Sequence, residues 1–466
     1  MRIQTTDHAD ERIRLALEMA YGITLLRNVL DDEVGQSMLT LLRELVAQEP
    51  DGMAVATAYS RTFHALADAA TTEEMIPGIS DAWQAYLVTR ILDDTNPWSI
   101  QAERAGSPAI SQAIQGQAQR DLSALRLLFD LTAQMLWQIT CDTVEASLPA
   151  LRDAWVPWHD LTPPQTTERL LTARNAFCQA MIEHEDWTQL VEPLTKHWAR
   201  HGTGHFAYYH AFRWQGREEG LCGIAYPDPI ALHGLIGYER EHSLLKTNTE
   251  RFLHGLPAHD AVLYGAPGTG KSSTVKALVN AYADQGLRLI EVRKEQVRDL
   301  PWIVTQLRGR APRFLIFIDD LSFEDHETEY KALKVLLEGA AEARPANVLI
   351  YATTNRLNLI REHFSDRGKP TDDVHWRDTM DEKNSLVARF GLRVTFATPD
   401  QERYLTIVSA LAQQRNLPLA EEEVRTLALA WERQHSGRSG RLARQFVDDL
   451  EAELTRPSRL SSAGKG

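Results

Sequence analysis

The residues Gly265-Ala266-Pro267-Gly268-Thr269-Gly270-Lys271-Ser272 constrain this chain more than any other stretch of it. They match G-x-x-x-x-G-K-[ST] and lie between the β-rich run AVLYG (261–265) and the helical run STVKALVNAYA. In that setting glycines let successive backbone N–H groups curl around an anion, and the following helix N-terminus adds favourable partial charge. Lys271 is placed to reach β- and γ-phosphates, and the Ser272 hydroxyl to ligate Mg²⁺. The expected cradle runs from Gly265 through Ala266, Pro267, Gly268, Thr269, Gly270, Lys271 and Ser272 to Ser273, and the expected ligand is ATP with Mg²⁺. An ordinary glycine turn is the alternative; the strand and helix standing in register on either side argue against it.

From residue 261 onward the chain alternates short β-rich runs with helical stretches: AVLYG (261–265), LRLIEV (287–292), FLIFIDD (314–320), VLIYATTN (348–355) and LRVTFAT (392–398). That alternation predicts a parallel sheet with crossover helices. FLIFIDD is apolar until it delivers Asp319 and Asp320 at the C-terminal end of its strand, the edge where open α/β sheets bind ligands. Asp319 fits a Mg²⁺-side carboxylate and Asp320 a residue polarising the attacking water. The competing reading, two acids capping the next segment, is weakened by the loop upstream. Three helical patterns close the chain: DQERYLTIVSALAQQRN, AEEEVRTLALAWERQ and GRLARQFVDDLEAELTR.

Residues 1 to about 200 read as helices, with apolar residues every three or four positions in DERIRLALEMAYGITLLRNVL and VGQSMLTLLRELVAQ. ALRLLFDLTAQMLWQITCDTVEASL is more apolar and reads as the central helix of a bundle. Eight of the eleven tryptophans precede residue 215, most of them expected as core anchors. At 466 residues the chain is too long for one core. The expected division is a helical partner-binding domain (1–220), a Pro/Gly-rich connector (221–250), an α/β nucleotide domain (251–399) and a helical lid with tail (400–466).

The net charge is −14, with the acid excess in the N-terminal half and the C-terminal half near neutral. An acidic N-terminal half is a poor surface for phosphate backbones. No apolar run approaches the length needed to span a bilayer, and MRIQTTDHADERIR lacks the apolar core of a signal peptide. Cys141, Cys178 and Cys222 lie far apart without metal or redox spacing. These features point to the cytoplasm and to no membrane partner. His197, His201 and His205 recur every four residues, but Gly202 and Gly204 interrupt the helix, so hydrogen-bonded histidines are expected rather than a metal clamp.

The order GAPGTGKS, FLIFIDD, ATTN, ARFG and SGRLAR resembles the AAA+ ATPase module over roughly residues 233–455. More closely, LIGYERE, NTERFLHGLP, IDDLSFE, YKALKVLLEG and GRSGRLARQFVDDL resemble a bacterial AAA+ family still labelled as a domain of unknown function. The resemblance implies roles for four polar residues and a connector. Asn355 matches the sensor-1 position that holds the hydrolytic water. Arg389 is similar to the arginine finger reaching a neighbouring subunit's γ-phosphate, although a cation at a helix end also has a structural reading. Arg441 resembles sensor 2, with Arg438 and Arg444 one turn to either side, and Ile236-Gly237-Tyr238 resembles the connector that wraps adenine through backbone groups. The Asp-Asp ending departs from the Asp-Glu usual in AAA+ motors and resembles the initiator and loader branch; Glu324 is the alternative catalytic carboxylate. The segment RKEQVRDLPW lacks the aromatic–apolar–Gly triad of threading motors, leaving Trp302 as the one aromatic that would face a pore.

The expectation is thus an α/β P-loop NTPase of AAA+ type with a helical lid and a helical N-terminal domain. It would hydrolyse ATP, assemble into a ring, six subunits being the family habit, and remodel a protein partner. The alternative is a nucleotide-gated DNA-binding or helicase-loader-like switch. The near-neutral C-terminal half favours it; the acidic N-terminal half and the lack of a helix-turn-helix or basic stripe weigh against it.

Overall fold

The computed structural model describes residues 2–71, 79–105, 110–151, 153–161, 172–322, 330–338, 344–355, 386, 389–435 and 437–455. The chain forms two compact units. One comprises Met1–Tyr208 with Asp284–Gly286 and Gly309–Pro312; the other comprises Tyr209–Ala283, Leu287–Arg308 and Arg313–Gly466.

The first unit is helical: α1 (Arg2–Ala20), α2 (Glu33–Leu45), α3 (Gly52–Thr71), α4 (Ala82–Asp93), α5 (Pro97–Ala105), α6 (Gln112–Phe129), α7 (Ala133–Glu145), α8 (Thr172–Glu183), α9 (Val191–His201) and the single turn α10 (His205–Tyr208). Its core is anchored by Trp83, Trp98, Trp158, Trp187 and Trp198, each essentially fully buried. Four of these indoles also find acceptors: Trp83 Nε1 on Leu128 O, Trp98 Nε1 on Thr195 Oγ1, Trp187 Nε1 on Met181 O and Trp198 Nε1 on Leu92 O, at 2.7–3.0 Å. Asp121, buried on α6, accepts N–H groups from Thr24, Leu25 and Leu26 and so ties down the segment after α1.

The expected single helix over 124–148 is corrected to two, because Thr132 Oγ1 caps Met135 N and starts α7 afresh. The histidine series is likewise split. α9 stops at Gly202 (φ 82), His205 belongs to α10, and the His197 ring packs on Phe177 and His201 with centroids 4.6 Å away in each case. No described helix is long and apolar enough to cross a membrane.

The second unit is built on a seven-stranded sheet with strands β1 (Ala211–Trp214), β2 (Leu221–Gly223), β3 (Ala261–Gly265), β4 (Leu287–Val292), β5 (Arg313–Ile318), β6 (Val348–Thr354) and β7 (Leu392–Phe396). Their order is β2-β1-β4-β5-β6-β3-β7, and every pairing but β1–β2 is parallel. β6 is buried along its whole length, as a strand covered on both faces must be. α11 (Glu239–Leu253), α12 (Lys271–Tyr282), α13 (Leu300–Leu307) and α14 (Tyr330–Glu338) belong to this layer. α15 (Gln401–Gln414), α16 (Glu421–Gln434) and α17 (Gly440–Thr455) close on their own core of Tyr404, Val408, Ala428, Phe446 and Val447. Arg415 joins Asp448 and Glu451 at 2.5 and 2.7 Å, fixing α15 to α17. The architecture is therefore the expected α/β core with a parallel sheet and crossover helices, together with a C-terminal helical bundle and a helical N-terminal unit.

The sheet starts earlier in the chain than the sequence indicates. The break between units falls at 208/209 rather than 220, and the range 221–250, expected as a connector, contains β2 and most of α11. β1 and β2 are only four and three residues long, too short to carry a pattern of their own. They exist because Ala211, Phe212 and Arg213 pair with Leu289, Ile290 and Glu291 of β4. Packing also holds them, since Phe212 and Trp214 are fully buried and Trp214 Nε1 donates to Asp299.

Candidate functional site

β3 ends at Gly265, and the loop to α12 turns through Gly268 (φ 79) and Gly270 (φ 90), left-handed conformations that suit glycine. Gly268 has a second reason to lack a side chain. A Cβ there would sit 3.0 Å from Ser439 Oγ and 3.2 Å from Arg441 Cβ, and Arg441 N donates to Gly268 O at 3.2 Å. The phosphate-type loop and the first turn of α17 are thus in backbone contact. At the other end, Gly237 (φ 92) brings the segment before α11 within reach of Ile407 on α15.

A cavity of about 490 Å³ lies between these elements. Its polar end is lined by Gly268, Thr269, Gly270, Lys271, Ser272 and Asp319, with Pro267, Ser273, Asp320, Thr353 and Asn355 beside them. Its apolar end has Ile236, Tyr238, His242, Ile407 and Leu411. Tyr238 is fixed by its hydroxyl, which donates to Ala397 O at 2.7 Å, and burial pushes that phenol up to about 12. Burial also holds the His242 imidazole below its ordinary value, against the opposing pull of Glu239 and Glu241.

The polar end is one hydrogen-bonded chain. Lys271 Nζ donates to Gly265 O, Ala266 O and Asn355 Oδ1 at 2.8, 2.9 and 2.9 Å. Asn355 Nδ2 donates onward to Asp320 Oδ1 at 2.8 Å. Ser272 Oγ donates to Asp319 Oδ1 at 2.6 Å, and Thr353 Oγ1 donates to the same oxygen at 2.5 Å. Burial lowers the Lys271 pKa, while Asp319 and Asp320 pull it upward. A hydroxyl and a carboxylate converging at the mouth of a helix are the hard oxygen donors that suit Mg²⁺. Backbone N–H groups of the glycine loop and a buried ammonium suit a polyphosphate.

The residues singled out from sequence fall into three groups. Pro267 through Ser273, with Ile236, Asp319, Asp320, Asn355 and Arg441, line this one cavity. Gly265, Ala266 and Gly237 are not among the lining residues, although the carbonyls of the first two hold Lys271. Arg389 precedes β7 and is not among the lining residues, while Glu324 lies outside the described residues. Of the neighbouring lid arginines, Arg444 lines the cavity with Arg441, whereas Arg438 is engaged with Glu432 at 2.6 Å. Trp302 is half exposed on α13, with the Arg217 guanidinium 5.9 Å from its ring centroid.

Sequence reasoning missed Thr353 and His242. The first carried no local signal: Ile318 pairs with Ala352, and it is this register that sets Thr353 beside Asp319, the residue after β5. Helical spacing could have found the second, four residues beyond Tyr238.

Residues 207–454, more than half of the chain, match the family DUF815, described as a protein of unknown function. No curated protein matches the chain. Among solved structures it is similar to the RuvB Holliday junction branch migration motor of Thermotoga maritima at 16% identity, covering 49% of this chain and 66% of that one with a TM-score of 0.33. Two single-residue variants of the same RuvB match at 17% and 19% identity, covering 49% of this chain and 66% and 67% of theirs, with TM-scores of 0.34 and 0.33. The chain thus spans about two thirds of the length of these structures, in the first case just under it.

Proposed function

The chain belongs to the DUF815 family, and from that premise we propose that it is a Mg²⁺-dependent ATPase of AAA+ type that acts as an oligomer on a protein partner. The observation that carries the proposal is the hydrogen-bonded chain Lys271–Asn355–Asp320, set beside Ser272–Asp319 at the start of α12. It sets an ammonium, a hydroxyl, an amide and two carboxylates together among the lining of one cavity, and that combination supports the reading.

In this reading the loop Gly265–Ser273 binds the phosphates through backbone N–H groups, and Lys271 orients the terminal one. Ile236 and Tyr238, with Ile407 and Leu411, enclose the adenine. Ser272 and Asp319 hold Mg²⁺, which when bound neutralises charge on the phosphate oxygens. Asp320 accepts the proton of the attacking water, and Asn355 orients that water through its amide. Arg441 contacts the phosphates from the lid, so that lid position follows nucleotide state. Arg389 is outside the lining of its own cavity, and a role at the γ-phosphate therefore needs the Arg389 of a second copy. That is the reason for proposing a ring, with six subunits the family habit. The helical unit is the proposed recruiter of the protein partner, its acid excess making it a poor seat for a phosphate backbone.

The test is phosphate release by the full chain with Mg²⁺-ATP, beside Asp320→Asn. The wild-type chain should turn over, and the variant should lose about 10²-fold or more in kcat while still binding ATP. No turnover by the assembled wild-type chain would contradict the proposal. Equal turnover by Asp320→Asn would move the catalytic role to another acid, Glu324 first.

A further inference from the structure

We infer that the Thr353 hydroxyl is the positioning group that sets both acids of the site, an inference that rests on the proposed ATPase reading. Thr353 is 1% exposed and lies near the end of β6. The ladder between β5 and β6 ends at Ile318 and Ala352, so Thr353, still paired with Leu263 of β3 on its other side, stands just past the end of the β5 ladder. There its side chain takes over from the backbone. A threonine hydroxyl has one proton and two lone pairs. The proton goes to Asp319 Oδ1 at 2.5 Å, and a lone pair accepts Asp320 N–H at 2.9 Å. The carbonyl of the same residue accepts Leu321 N–H at 2.7 Å. One residue therefore binds the metal-side carboxylate and the backbone on both sides of the Asp320 carbonyl.

That grip explains an otherwise unfavourable backbone. Asp320 has φ 51, one of three described non-glycine residues in the left-handed region. A left-handed turn at a branched or polar residue persists when its surroundings over-determine it. The turn brings Asp320 Oδ1 to 2.8 Å from Asn355 Nδ2. Thr353 thus acts through Asp319 and Asp320. Valine would keep its shape and remove both hydrogen bonds.

The test compares full-length Thr353→Val and Thr353→Ser with the wild-type chain. The readouts are affinity for a fluorescent ATP analogue across a Mg²⁺ titration, kcat and KM for ATP, and melting temperature. Thr353→Val should raise the half-saturating Mg²⁺ concentration about fivefold or more and lower kcat about tenfold or more, with KM for ATP within about twofold. Thr353→Ser keeps the hydroxyl and should stay within about threefold of wild type in each. A role confined to packing would lower the melting temperature without moving the Mg²⁺ midpoint, and that outcome overturns the inference. So does an equal loss in Thr353→Ser. If Thr353→Val does not fold, Thr353→Ser decides by the same limits. A wild-type chain that binds Mg²⁺-ATP without hydrolysing it removes the ATPase reading alone, because the Mg²⁺ midpoints of binding still decide the part played by Thr353.

Discussion

Lys271 Nζ and Asn355 Oδ1 are 2.9 Å apart, and this contact fixes which way the Asn355 amide points. With its oxygen on the cation, its nitrogen must face Asp320, where it donates at 2.8 Å. Asn355→Asp tests which half of the amide matters. The variant can still accept from Lys271, but it sets two carboxylates side by side with no donor between them. Turnover should fall about tenfold to a hundredfold, and ATP affinity should change far less. Wild-type turnover in a steady-state assay would contradict a role for the Asn355–Asp320 contact.

A second expectation concerns pH. Burial at the apolar end of the cavity holds the His242 imidazole below its ordinary 6.5. The unfolded chain therefore takes up this proton at higher pH than the folded chain does. Folding loses stability at this residue as pH falls through the unfolded value. Melting temperatures measured at about pH 7.5 and about pH 5.5 should drop more in the wild-type chain than in His242→Asn, which has no such proton to bind. Equal drops would place the imidazole in an ordinary aqueous setting.

The course of the first strand gives a third. A fragment beginning at residue 209 keeps β1, while one beginning at 221 discards the fully buried Phe212 and Trp214. Each such loss costs about 3–5 kcal/mol where the site cannot collapse. The longer fragment should melt cooperatively and be stabilised by Mg²⁺-ATP, and the shorter should unfold at markedly lower urea. Indistinguishable urea midpoints would mean that β1 contributes nothing to the sheet.

Much of this architecture is legible in the sequence, for identifiable reasons. β3 and β4 fall on the residues expected, because an apolar run with its own turn signals carries its periodicity locally. Lys271, Ser272, Asp319, Asp320 and Asn355 were each readable from the loop and the strand ends, and they converge on one cavity. β1 and β2 were not readable, since three or four residues become a strand only when β4 is there to pair with. Thr353 was hidden for a related reason. Its importance lies in being opposite Asp319 across two strands, a register that no local pattern encodes. The break between α6 and α7 is encoded in Thr132, a helix cap set inside an apolar stretch whose periodicity runs across it.

Arg389 supports a fourth expectation. If its guanidinium serves a neighbouring subunit, Arg389→Ala should bind ATP and lose about 10³-fold in hydrolysis. Mixing it with Lys271→Ala protein should restore part of the activity, because an intact loop then meets an intact finger. Mass photometry confirms that the mixture assembles. Normal hydrolysis by Arg389→Ala, or no recovery in an assembled mixture under subunit exchange, would rule out shared sites at this residue.

The most direct test of the account is equilibrium titration of the full chain with a fluorescent ATP analogue and Mg²⁺, comparing wild type with Lys271→Ala. Lys271 is 6% exposed, with all three donors directed into the loop and onto Asn355. Removing the one ammonium of the loop should weaken Mg²⁺-ATP binding by about tenfold or more. Binding by Lys271→Ala with the wild-type dissociation constant would contradict the claim that ATP occupies this cavity.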